Sequence, residues 1–133
     1  MTGRGIVLDR LDHLVLTVRD VEATSAFYEK VLGMRRVEFG AGRIALHFGR
    51  QKINLHPHPS PIEPRAAAPG PGTADLCFVA ATPLDAVVAH LAACGVEVVA
   101  GPVTRGGAEG PMNSVYLRDP DGNLVEVSNY LAG

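Results

Sequence analysis

The stretch Arg118-Asp119-Pro120-Asp121-Gly122-Asn123-Leu124-Val125-Glu126-Val127 decides the reading of this chain. Pro120 presets the second turn position, Asp121 can bond its own backbone, and Gly122 accepts the left-handed residue that closes a turn. A strand therefore leads in over 114–118 and another leads out over 123–128. In the second strand, Val125 and Val127 point one way while Leu124, Glu126 and Ser128 point the other. Both faces carry apolar groups, so a carboxylate at Glu126 is costly unless its charge is compensated. A metal ion would compensate it, and so would an Arg such as Arg43 or Arg118.

Working outward, the chain shows one plan twice. Residues 11–18 alternate as a strand, with Leu14, Leu16 and Val18 on one face and His13, Val15 and Thr17 on the other. Asp20 caps a helix over 21–32, with Ala23, Phe27 and Val31 at helical spacing and Gly33 in the position that ends it. Short strands follow over 34–39, 43–48 and 51–56, with glycines between them. Residues 57–73 hold so many prolines that they form a stiff extended connector with no regular element. A strand over 74–80 then restarts the pattern. Thr82 caps a second helix, with Pro83 at its first position and Asp85 completing a box-like pair, and Gly95 ends it. A short strand over 96–100, a glycine-rich loop over 101–111 and the hairpin quoted above complete the second unit. The helices and their terminal glycines recur roughly 60 residues apart, which indicates a duplicated βαβββ unit and not a solenoid of short repeats.

Composition bounds the function. A chain of 133 residues can bury one core, and its net charge of −2 gives no reason to expect nucleic acid or an anionic membrane as partner. No apolar run reaches the ~20 residues of a membrane span. Residues 1–5 lack the apolar stretch of a secretion signal, so a cytoplasmic protein is expected. Cys77 and Cys94, the only cysteines, read as reduced core residues.

Four features carry a resemblance: Leu11-Asp12-His13-Leu14, Ala26-Phe27-Tyr28 with Leu32-Gly33-Met34, the duplicated plan, and the turn leading into Glu126. Together they resemble the vicinal oxygen chelate superfamily, which includes glyoxalase I, fosfomycin resistance enzymes, extradiol dioxygenases and bleomycin resistance proteins. The nearest branch looks like the small virulence-associated, glyoxalase-like proteins. The resemblance implies an α+β fold in which tandem βαβββ modules, here 11–56 and 74–129 of a single domain over 1–133, form a cupped mixed sheet.

The resemblance also implies a divalent metal, with His13, His56, Asp75 and Glu126 in or near ligand positions. Asn54 shares a face with His56 and is an alternative to it, and Asp75 stands where many relatives have His. Each candidate has a structural alternative: a core histidine at His13, a rim residue at His56, a solvated strand start at Asp75, an ion-paired carboxylate at Glu126. The donor set suits Zn, Ni, Mn or Fe(II). Glu126, or Asp75, is the expected general base. His47, Asn54, Arg105 and Tyr116 are expected to line the substrate pocket, with the loop over 101–111 as a lid. A glyoxalase-like lyase or isomerase, or a dioxygenase, acting on a small oxygenated substrate is the leading expectation, as a homodimer. The alternatives are a non-catalytic small-molecule-binding protein of the bleomycin-resistance kind, or a regulatory domain with a vestigial site.

Overall fold

Two four-stranded sheets divide the strands between the halves of the chain, in the orders β1-β4-β3-β2 and β5-β8-β7-β6. The computed structural model describes residues 5–59 and 61–131. The first sheet is built of β1 (His13–Val18), β2 (Arg35–Phe39), β3 (Arg43–Phe48) and β4 (Gln51–Pro57), with α1 (Val21–Leu32) crossing over after β1. The second comprises β5 (Asp75–Val79), β6 (Ala100–Gly107), β7 (Gly110–Arg118) and β8 (Leu124–Tyr130), with α2 (Leu84–Ala93) after β5. In each sheet the last strand runs parallel to the first and antiparallel to the third. Each unit is therefore a βαβββ module, and the fold is α+β. Residues 5–12 carry no regular element, and residues 1–4 lie outside the described ones.

Alternation puts one set of side chains under the helices. Leu16, Val18, Ile44, Leu46, Ile53 and Leu55 from the first sheet join Val115, Leu117, Val125 and Val127 from the second in one buried cluster with Tyr28, Val31, Leu84, Val87 and Leu91 from the helices. The opposite sheet faces carry the polar and ionisable residues singled out in the sequence.

The turn at 119–122 is also the clamp between the modules. Gly122 is left-handed, at φ 87°, and its N–H donates to the Asp119 carbonyl. The side chain that organises the turn is Asp119, not Asp121: its Oδ1 accepts from the N–H groups of Asp121 and Asn123, and its Oδ2 from the Asn123 amide at 2.8 Å. Tyr28, from α1 of the other module, donates its hydroxyl to the same Oδ2 at 2.7 Å. Arg19 reaches Asp121 at 3.2 Å beside it.

Three local expectations are corrected. The strand expected over 96–100 and the loop over 101–111 are replaced by a hairpin of β6 and β7. Its glycines allow close approach: a Cβ on Gly101 would lie 2.4 Å from the Ser114 carbonyl oxygen, and one on Gly107 would lie 2.8 Å from the Met112 sulfur. That segment is therefore a paired hairpin and not a glycine-rich loop. Thr82 does not cap α2, whose cap is Pro83 without a side-chain bond, and Asp85 instead binds the adjacent Ala86 N–H. Cys77 is not a core residue: it is exposed on the open face of the second sheet, while Cys94 is half-buried, and both are free thiols.

Candidate functional site

The register of the strands fixes which candidates share a face. Across the open face of the first sheet, Arg35, His47, Lys52 and His13 stand in one row. Val37, Ala45, Asn54 and Val15 form the next, and Thr17 and His56 lie side by side beyond it. In the second sheet Asp75, Leu124 and Arg118 share a row, and Cys77, Glu126, Tyr116 and Ala100 share the next.

The two modules agree in register. His13 pairs with Lys52, and Asn54 lies two residues further along β4; Asp75 pairs with Leu124, and Glu126 lies two residues further along β8. His13 thus corresponds to Asp75, and Asn54 to Glu126. His56 corresponds to Ser128, one step further. His56 also sits four residues along the parallel strands from the row of His13, roughly 13 Å away.

Local chemistry separates the candidates further. His13 is partly exposed, and its Nδ1 meets the Asp12 carboxylate at 2.8 Å. That contact leaves Nε2 as the outward-facing nitrogen, the arrangement in which a carboxylate orients a ligating imidazole. The same hydrogen bond, followed by nearby positive charge, holds the Asp12 carboxyl below its usual range. The adjacency of Asp12 to His13 in the chain was the available signal for this contact.

Glu126 is half-buried, accepts from the Ser128 hydroxyl at 3.3 Å, and has no ion pair among the described residues. The expected alternative, pairing with Arg43 or Arg118, is not how these residues are engaged. Arg43 turns to His56 and to the Phe39 ring, and Arg118 donates to the Gly122 carbonyl. Asp75 is exposed at the start of β5.

His56 is buried, at 3% exposure, and the Arg43 guanidinium stands 3.5 Å from its Nε2. Burial, and secondarily Arg43, push its imidazole below the ordinary histidine range, so it is neutral at pH 7. A second cation beside that guanidinium would be repelled, which argues against His56 as a ligand. The Asn54 carbonyl oxygen, by contrast, is buried without a hydrogen-bond partner. Such an orphaned acceptor, at the position equivalent to Glu126, fits a metal or substrate contact.

Among the pocket candidates, His47 stands in the basic row, half-buried between Arg35 and Lys52. Arg105 lies on β6, where its Nε donates to the Tyr116 hydroxyl at 3.1 Å and its guanidinium stacks 5.6 Å from that ring. Both therefore belong to the wall of the second sheet.

Among the described residues, no three of His, Cys, Asp and Glu gather closely enough to hold a metal ion. The donors themselves, an imidazole, two carboxylates and an amide oxygen, suit a hard or borderline divalent cation once they are brought together.

This fold is that of one family. The chain matches the Glyoxalase/Bleomycin resistance protein/Dioxygenase superfamily over residues 10–127, and it belongs to that superfamily. It is 52% identical to virulence protein STM3117 of Salmonella typhimurium, covering 95% of this chain and 88% of that one. The crystal structure of the same relative superposes with a TM-score of 0.93, covering 95% of this chain and all of that one, 100%. The glyoxalase domain-containing protein RDO1 of Mycosarcoma maydis is 50% identical, covering 96% of this chain and 72% of that protein. The lactoylglutathione lyase of Agrobacterium tumefaciens is 26% identical, with a TM-score of 0.69 over 92% of this chain and 94% of that one. No helix among the described residues is long and apolar enough to cross a membrane.

Proposed function

We propose that the chain is a metal-dependent enzyme of the vicinal oxygen chelate type, acting on a small oxygenated substrate as a glyoxalase-like lyase or isomerase, or as a dioxygenase. The equivalence of the two modules carries this reading: it sets His13 and Asn54 on one open face and Asp75 and Glu126 at the matching places on the other. His13, Asp75 and Glu126 would hold a divalent cation, with the Asn54 oxygen as the fourth donor. Such a cation would supply Lewis-acid polarisation of adjacent substrate oxygens. Glu126, free of a cationic partner, would move the proton as general base. The row of Arg35, His47 and Lys52 would attract an anionic substrate group, and Arg105 and Tyr116 would close the other wall.

The cup is completed by a second copy of the chain. β1 and β5 each lie at one edge of their sheet, and among the described residues that edge pairs with no other strand. Each carries an exposed valine on its open face, Val15 and Val79. Ile6, Val7 and Leu8 are likewise exposed, Val7 to 93%, as expected of an arm that lies against a partner.

Metal-stripped protein titrated with Ni²⁺, Zn²⁺ or Mn²⁺ tests the reading by thermal unfolding. A bound ion raises Tm by mass action, and His13→Ala and Glu126→Gln abolish the rise. No rise with any of these ions or Fe(II) would reject metal-dependent catalysis and favour a small-molecule-binding protein.

A further inference from the structure

The last turns of α1 and α2 come together on the helical side of the molecule. His90 and Cys94 stand one turn apart at the end of α2 and share one face of it. The His90 Nε2 and the Cys94 Sγ are 3.5 Å apart. The Lys30 carbonyl oxygen, in the last turn of α1, lies 3.1 Å from that nitrogen and 4.0 Å from that sulfur. His90 is exposed and Cys94 half-buried, so solvent reaches the group. The function proposed above uses none of the three.

Geometry makes this triangle a place for a cation. A metal ion with ordinary bonds to nitrogen, sulfur and oxygen holds tetrahedral donors about 3.4–3.6 Å apart. The three separations here differ from those by roughly 0.4 Å or less. The local field favours a cation independently. The Met34 N–H, which would continue the helical ladder to Lys30, donates to the Tyr28 carbonyl instead. Lys30 thus presents one of the orphan acceptors of a helix C-terminus. Cys94 closes α2, so the negative ends of two helix dipoles lie at one spot. An imidazole, a thiol and a carbonyl are a softer set than the donors of the open faces, and they suit Zn²⁺ and other thiophilic ions.

We propose that His90, Cys94 and the Lys30 carbonyl form a second metal site, for a thiophilic ion such as Zn²⁺, which ties the helix of one module to that of the other. Only two of its donors are side chains; the main chain supplies the third, and the fourth position is open to water. At present Nε2–H donates to the Lys30 carbonyl. On binding, Nε2 gives up that proton and the ring takes one up at Nδ1, so the imidazole stays neutral. The Cys94 thiol releases its proton to solvent and binds as thiolate. One proton is released in all, and no electron moves. The site does not depend on the metal centre of the open faces.

The test uses the full chain carrying His13→Ala, Glu126→Gln and Cys77→Ser, which disables the other proposed centre and removes the other thiol. Titrated Co²⁺ should give a sulfur-to-metal charge-transfer band that saturates at one ion per chain, and Zn²⁺ should displace it. Adding Cys94→Ser should abolish the band. Adding His90→Ala should weaken Co²⁺ binding more than about tenfold, the least that loss of a supporting group costs a metal site. In the wild-type chain, Zn²⁺ should move His90 from the Nε2–H to the Nδ1–H tautomer in long-range ¹H–¹⁵N spectra and slow alkylation of Cys94 by iodoacetamide. Absence of the band, unchanged affinity with His90→Ala, or His90 resonances unmoved by Zn²⁺ would overturn the proposal. If the multiple variant does not fold, the wild-type spectra and alkylation rates decide.

Discussion

At the scale of single residues, Asp119 and Tyr28 tie the two modules together. Asp119 is buried and accepts from two backbone N–H groups, an amide and a phenol, so its charge is met by fixed dipoles. Asp119→Ala strands these donors in the core and should cost about 3–5 kcal/mol in urea unfolding. Tyr28→Phe removes one charge-assisted bond and should cost roughly 1.5–3 kcal/mol. His56 supplies a pH dependence of known sign. Its folded value lies below the ordinary 6.5, so the unfolded chain takes up the proton first on acidification. Its contribution is complete above that value and is lost as pH falls toward and through the folded one. The urea midpoint should therefore fall between about pH 7.5 and 5.5, and His56→Phe should flatten that slope. In the sequence, Asp119 read as the first residue of a turn. Its role as an acceptor for Tyr28 depends on residues 91 positions apart, and no local pattern reports such a pair.

At the scale of elements, β1 and α1 were legible because their signals are local. Alternation, an Asp20 cap whose side chain binds the Ala23 N–H, and a left-handed Gly33 all act within a few residues. The β6–β7 hairpin was not legible, because glycine has two uses that look alike in a sequence. At Gly33 it serves backbone conformation, with open space where a Cβ would go; at Gly101 it also admits the Ser114 carbonyl. The two uses separate by mutation. Gly33→Ala should cost about 1–2 kcal/mol, the penalty of the left-handed conformation alone. Gly101→Ala adds a clash with backbone and should cost at least about 3 kcal/mol by chemical denaturation.

At the scale of the whole molecule, the proposed cup makes a prediction about assembly. A homodimer in which each cup takes His13 from one chain and Glu126 from the other should sediment near twice 14.0 kDa. Mixing His13→Ala with Glu126→Gln after reversible dissociation should then restore metal binding, because one cup of the mixed dimer contains neither substitution. A cup formed within one chain gives no recovery, since each chain carries one defect.

What the sequence determined by itself is the repeated module, its faces and the superfamily. The module and its faces follow from side-chain period and turn chemistry, which act between near neighbours and survive without a partner strand; the superfamily rests on the resemblance of its motifs. The tertiary structure alone decided the register that pairs Asn54 with Glu126 as equivalents, and that sets His56 against Arg43. Register is a relation between strands distant in the chain. A shift of two residues keeps every side chain on its face yet changes which residue stands in the row that matters.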